Sequence, residues 1–111
     1  MRCILSIGRD RHLMDVRSML LRYDGYCVEE AYSAGEALAA LQSGTVDVVL
    51  ICHTMTATEH DSLIAAVHEM RGKMPVICLV ARPGDGYNRC LNVVNSPAAL
   101  LEAISQLASA A

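Results

Sequence analysis

Residues 47–56 read DVVLICHTMT, an apolar run that ends on a thiol and an imidazole, Cys52 and His53. A thiolate accepts phosphoryl and oxidising groups once nearby cations or helix amides lower its pKa. Arg9 and His53 are the residues that would supply such a field. The plainer reading of Cys52 is a buried strand-end cysteine, like others in "RCILSI", "YCVEEA" and "VICLV". A second stretch, Gly8-Arg9-Asp10, also closes an apolar run. There Arg9 suits a small anion, and Gly8 lets the backbone approach it. The plainer reading makes Asp10 the N-cap of the next helix and Arg9 an exposed loop residue. His53, His60 and His68 add imidazoles, but with Cys52 their spacing matches no closed zinc set. No metal is expected, and His60 and His68 read as solvent-facing helix residues. "SIGRD" holds one glycine and is no phosphate or dinucleotide fingerprint.

These residues need a scaffold, and the hydrophobic pattern supplies one. Cys3 to Ile7 reads as a strand. A helix follows from about residue 11 to 23, with Leu13, Val16, Leu20 and Tyr23 on one face. Gly25 suits a turn with positive φ. Tyr26 to Ala31 is a second strand. Ser33 and Glu36 have the spacing of a capping box, opening a helix with Ala37, Leu38 and Leu41. Val46 to Cys52 is a continuous apolar strand, as a central parallel strand requires. A helix over residues 59–70 turns Leu63, Ile64 and Val67 inward. Pro75 to Val80 is a fourth strand and Leu91 to Val94 a short fifth. Ser96-Pro97 caps a last helix carrying Leu100, Leu101, Ile104 and Leu107. Strand and helix alternate, so the expectation is an α/β domain: a five-stranded parallel sheet in three αβα layers. With flavodoxin-like order 2-1-3-4-5, the functional crevice lies at the carboxyl ends of strands 1 and 3. Gly8, Arg9, Asp10, Cys52 and His53 all fall there.

Composition narrows the function classes. The 111 residues are read as one domain, 1–111, with 53% apolar residues and neither Phe nor Trp. Net charge is −3 with no basic run, so no nucleic-acid partner is expected. No apolar run approaches the ~18 residues of a membrane span. The N-terminus is interrupted too early for a signal peptide, which implies a cytoplasmic protein. Five cysteines without a CxxC pair argue against a disulfide framework or zinc ribbon.

The stretch GYCVEEAYSAGEALAALQSGTVDVVLI, with "MPVICLVA" and "SPAALLEAI", resembles the response regulator receiver domain, the CheY-like fold of two-component signalling and phosphorelays. The resemblance spans nearly the whole chain. It implies an acidic pair after strand 1 to hold Mg²⁺, and an aspartate nucleophile after strand 3. It also implies a Thr or Ser after strand 4 and a Lys after strand 5. Carried over, the acidic pair falls on Gly8 and Arg9, with Asp10 next, and the nucleophile on Cys52. The hydroxyl falls on Val80, beside Ala81, and the lysine on or near Val93, with no Lys after Lys73. A one-residue shift returns Asp10 to the metal site and restores nothing else. Between Ala81 and Leu91 the segment 82–90, RPGDGYNRC, reads as a loop, so the family's fourth helix is reduced or absent. Its loss uncovers apolar sheet surface, which favours a homodimer or a bound partner.

The sequence therefore predicts a degenerate receiver, a pseudo-receiver that is not an enzyme and uses no cofactor. Its role would be phosphorylation-independent protein–protein interaction in a signalling or transcriptional pathway. Two alternatives stand beside it. One is a small-anion sensor at Gly8, Arg9 and Cys52, and the other a redox or phosphoryl-accepting protein using Cys52.

Overall fold

The computed structural model describes residues 2–82 and 84–109. Pro83 of the 82–90 segment, and residues 1, 110 and 111 of the expected domain, lie outside the described residues. The elements are β1 (Cys3–Ile7), α1 (Arg11–Tyr23), β2 (Cys27–Ala31), α2 (Ala34–Gln42), β3 (Val48–Ile51), α3 (Ala57–Met70), β4 (Val76–Val80), β5 (Leu91–Val94) and α4 (Pro97–Ser109). All strands pair in parallel in the order β2-β1-β3-β4-β5, as the alternation predicts.

Helices cover both faces, so β1, β3 and β4 are buried along their full length. Alternate residues of a strand face opposite ways. Leu5 and Ile7 therefore join the core under α2 and α3, with Ala37, Leu41, Leu63 and Val67. Ile4 joins the core under α1 and α4, with Met14, Leu21, Leu100 and Ile104. The edge strand β5 buries only Val93.

Helix α1 does not bury the face its apolar spacing suggests. Val16 is 53% exposed and Tyr23 92% exposed, whereas Met14, Arg17, Ser18 and Leu21 lie inward. The buried stripe mixes two apolar residues with a hydroxyl and a guanidinium, so counting apolar residues selects the wrong side. Ser18 is satisfied by donating to Glu30 at 2.7 Å. What satisfies Arg17 belongs to the site below.

Helix starts are fixed locally. Asp10 caps α1, its side chain accepting from the Leu13 amide at 3.2 Å. Ser33 caps α2 as predicted, but Glu36 reaches back to the amide of Tyr32 rather than that of Ser33. The full reciprocal capping box lies instead at Thr56 and Glu59, where α3 begins. Gly25 takes positive φ, 97°, after α1.

No helix is present among the described residues between β4 and β5. The connection is held by side chains instead. Asn92 accepts from the Tyr87 amide at 2.9 Å and donates to the Tyr87 carbonyl at 3.0 Å. His68 Nε2 bonds the Arg89 carbonyl at 2.8 Å. The Tyr87 ring stacks on His60, with centroids 4.2 Å apart and planes within 4°.

Candidate functional site

The carboxyl ends of β1 and β3 meet side by side, since Ile7 pairs with Ile51. Gly8 and Cys52 follow directly, and the Cys52 amide donates to the Ile7 carbonyl at 2.8 Å. The two residues are packed against each other. A Cβ built on Gly8 would stand 2.9 Å from Cys52 Cβ and 2.9 Å from Met14 Sδ. Glycine at this position answers a shortage of space. No side chain, acidic or otherwise, fits without movement of its neighbours.

Cys52 is 1% exposed. Its Sγ accepts a short hydrogen bond from the Arg17 guanidinium, which also donates to Asn95 Oδ1 at 3.3 Å. Arg17, on the inward face of α1, thus ties together the carboxyl ends of β3 and β5. Among the described residues no carboxylate lies within ion-pair distance of it. Burial pushes the Cys52 thiol up, and the neighbouring guanidinium, pulling the other way, does not outweigh it. Cys52 is thereby a neutral, buried thiol at neutral pH, unlike the exposed low-pKa thiolate of a reactive cysteine.

Arg9 points elsewhere. It forms an ion pair with Glu59 of α3, and its amide donates to Thr54 Oγ1 at 3.2 Å. Asp10 is engaged as the α1 cap. His53 is half-buried, with Nδ1 buried and lacking a partner. It lines a pocket of about 220 Å³ with Val80, Ala81, Asp85 and Tyr87. His60 is not the solvent-facing residue its helical position suggests, being 1% exposed. Its Nε2 donates to the Cys52 carbonyl at 2.9 Å, beneath the Tyr87 ring. Desolvation lowers its pKa, partly opposed by that hydrogen bond and by Asp61. His68 is half-buried against the 82–90 segment.

Of the predicted positions, Gly8, Cys52 and the end of β4 come together. Val80 is buried and Ala81 exposed, and neither offers a hydroxyl. Val93 is a core residue of β5, and Asn95, two residues on, is the one that reaches the site. Sequence reading missed Arg17 and Asn95. For Asn95 a signal existed, since it directly follows a parallel strand. Arg17 carried none, because an arginine in a helix reads as solvent-facing by default.

No family model matches the sequence, and no curated protein matches it. Solved structures do. The chemotaxis protein CheY4 of Vibrio cholerae superposes with a TM-score of 0.81 at 23% identity, over 96% of this chain and 98% of that one. The fold is that of a CheY-like receiver domain. TrrA of Thermotoga maritima, solved in complex with Mg²⁺ and BeF, matches with a TM-score of 0.85 at 21% identity, over 96% of this chain and 99% of that one. A complex of the histidine kinase ThkA with TrrA matches with a TM-score of 0.83 at 21% identity, over 96% of this chain and 98% of that one.

The residues present do not fit a divalent cation at the receiver position. Mg²⁺ requires hard oxygen ligands, carboxylates above all. Here Gly8 has no side chain, Arg9 and Arg17 bring positive charge, and Cys52 offers a neutral sulfur. The one carboxylate of the segment, Asp10, is committed to the helix cap. Among the described residues no group of three His, Cys, Asp or Glu side chains is placed to hold a metal. Nor is any described helix long and apolar enough to cross a membrane.

Proposed function

We propose that this chain is a degenerate receiver-like signalling module that acts through protein–protein interaction without phosphoryl transfer, and is not an enzyme. One observation carries the reading. The position where a receiver's nucleophile would stand holds a buried neutral thiol clamped by Arg17, beside a glycine with no room for a side chain. Receiver phosphotransfer depends on a carboxylate nucleophile, a metal held by oxygen ligands and a free ammonium. Arg17 already fills part of that space and ties α1 to the ends of β3 and β5. The natural partner is a protein of a signalling or transcriptional pathway, in keeping with the fold's appearance in the ThkA–TrrA complex.

Neither alternative gains support. Arg9, the proposed anion ligand, is paired with Glu59. Cys52, the proposed reactive thiol, is buried and neutral. The test is intact mass after incubation with Mg²⁺ and a small acyl-phosphate donor, with peptide mapping of any adduct. No phosphoryl increment is expected. A phosphoryl group on Cys52, His53 or Asp10 overturns the reading and makes the domain a receiver with altered chemistry.

A further inference from the structure

At the opposite, amino end of the sheet, Cys3 opens β1 and Cys27 opens β2, and the two are register partners in the parallel ladder. In-register parallel neighbours stand about 4.8 Å apart, inside the Cα separation that a disulfide spans. The side chains face the same way, and Cys3 Sγ donates to Cys27 Sγ at 3.0 Å. Both thiols are free. Cys3 is buried and Cys27 is exposed. This combination of a sheltered thiol touching a solvent-reachable one occurs far from Cys52 and has no part in the fold's cores beyond Cys3 itself.

We propose that Cys3 and Cys27 form a reversible redox modification site, closed to a disulfide by hydrogen peroxide and reopened by a dithiol reductant. Oxidation begins at the exposed sulfur. The Cys27 thiolate attacks one peroxide oxygen, the O–O bond breaks, and Cys27 becomes a sulfenic acid. The departing hydroxide takes up the proton Cys27 released and leaves as water. Cys3 sulfur then attacks Cys27 sulfur, the S–S bond forms, and hydroxide leaves with the Cys3 proton as a second water. Two thiols have lost two electrons and two protons, and the peroxide has been reduced to two waters. Reopening runs by attack of the reductant's thiolate on the exposed Cys27 sulfur, which releases Cys3 as a thiol.

The environment sets the order of events. Burial, the contact with Cys27, and nearby Glu29 and Asp47 push the Cys3 thiol up to about 12. Cys3 is therefore a poor first attacker. It acts only in the closing step, where contact replaces diffusion and low thiolate content is offset by proximity. Of the other buried thiols, Cys52 bonds Arg17, and Cys78 neighbours the half-buried Cys90, a pair that the Cys90→Ser control below separates from this one.

The test treats the whole protein with hydrogen peroxide at low molar excess, followed by intact mass and digestion after acidic residues, which separates Cys27 from Cys52. The expected result is a loss of two hydrogens and a fall in free thiols from five to three. Peptides containing Cys3 and Cys27 should be joined, and dithiothreitol should restore all five thiols. Cys27→Ser, an exposed and nearly isosteric change, should abolish the bridge, while Cys90→Ser should leave it intact. Three results overturn the proposal. In one, Cys27 advances to sulfinic acid while Cys3 stays reduced. In another, Cys27 joins Cys27 of a second copy. In the third, bridging persists in Cys27→Ser.

Discussion

Cys52, Arg17 and Gly8 form one steric and electrostatic unit, and changing any of them tests the others. Cys52→Asp places a carboxylate against the Arg17 guanidinium. A charge-assisted pair in that position is well satisfied, so the variant should fold. It should still take up no phosphoryl group from an acyl-phosphate donor with Mg²⁺, as judged by intact mass. An acid at position 52 supplies a nucleophile but no metal ligands at 8 or 9. Phosphorylation of this variant would mean that the aspartate alone was missing. Gly8→Ala presses a methyl group against Cys52 Cβ and Met14 Sδ. Overpacking of this kind costs about 1–3 kcal/mol, to be read from urea unfolding. The identities at 8, 9, 52 and 80 were legible in the sequence, because strand ends fix where they fall. The filling of the space was not. It comes from Arg17, whose inward direction depends on how α1 is rotated, and from Asn95, whose reach depends on where β5 stops.

Elements were legible where local chemistry dictates them. The span of β5, the Ser96-Pro97 start of α4 and the absence of a helix in the 82–90 segment follow from apolar runs, caps and Gly/Pro content. The rotation of α1 is a tertiary matter. Its apolar stripe, Leu13, Val16, Leu20 and Tyr23, lies half-buried or exposed, while Arg17 and Ser18 turn inward because Cys52, Asn95 and Glu30 accept from them. The start of α3 shows the reverse case. Thr56 and Glu59 satisfy each other's backbone amides, and Glu59 also receives Arg9. Thr56→Ala removes one half of that box. It should lower stability by about 1 kcal/mol, visible as a reduced Tm with the fold retained by circular dichroism.

For the molecule as a whole, His60 links the carboxyl edge of the sheet to the pH of the solvent. The unfolded chain holds His60 near its ordinary value of about 6.5, whereas burial holds it lower in the folded state. Below that value the unfolded state binds a proton that the folded state resists, so stability falls as pH falls. Above it the contribution is fully present. Chemical denaturation between pH 7 and pH 5 should show this decline. His60→Gln keeps a donor for the Cys52 carbonyl without a titrating group, and should flatten the profile. If the two profiles run parallel, His60 is not the group responsible. The fold class and strand order were legible at this scale, since a parallel alternating chain leaves few topologies open. The buried state of His60 was not, because it depends on Tyr87 arriving from the connection between β4 and β5.

The contact between Gly8 and Cys52 also limits which substitutions the site accepts. An acid introduced at position 8 as a first step collides with Cys52 and Met14. Room has to be made at 14 or 52 beforehand, by changes that confer no new chemistry by themselves. A carboxylate at position 8 therefore takes at least two coordinated changes, one of them to a smaller side chain at 14 or 52.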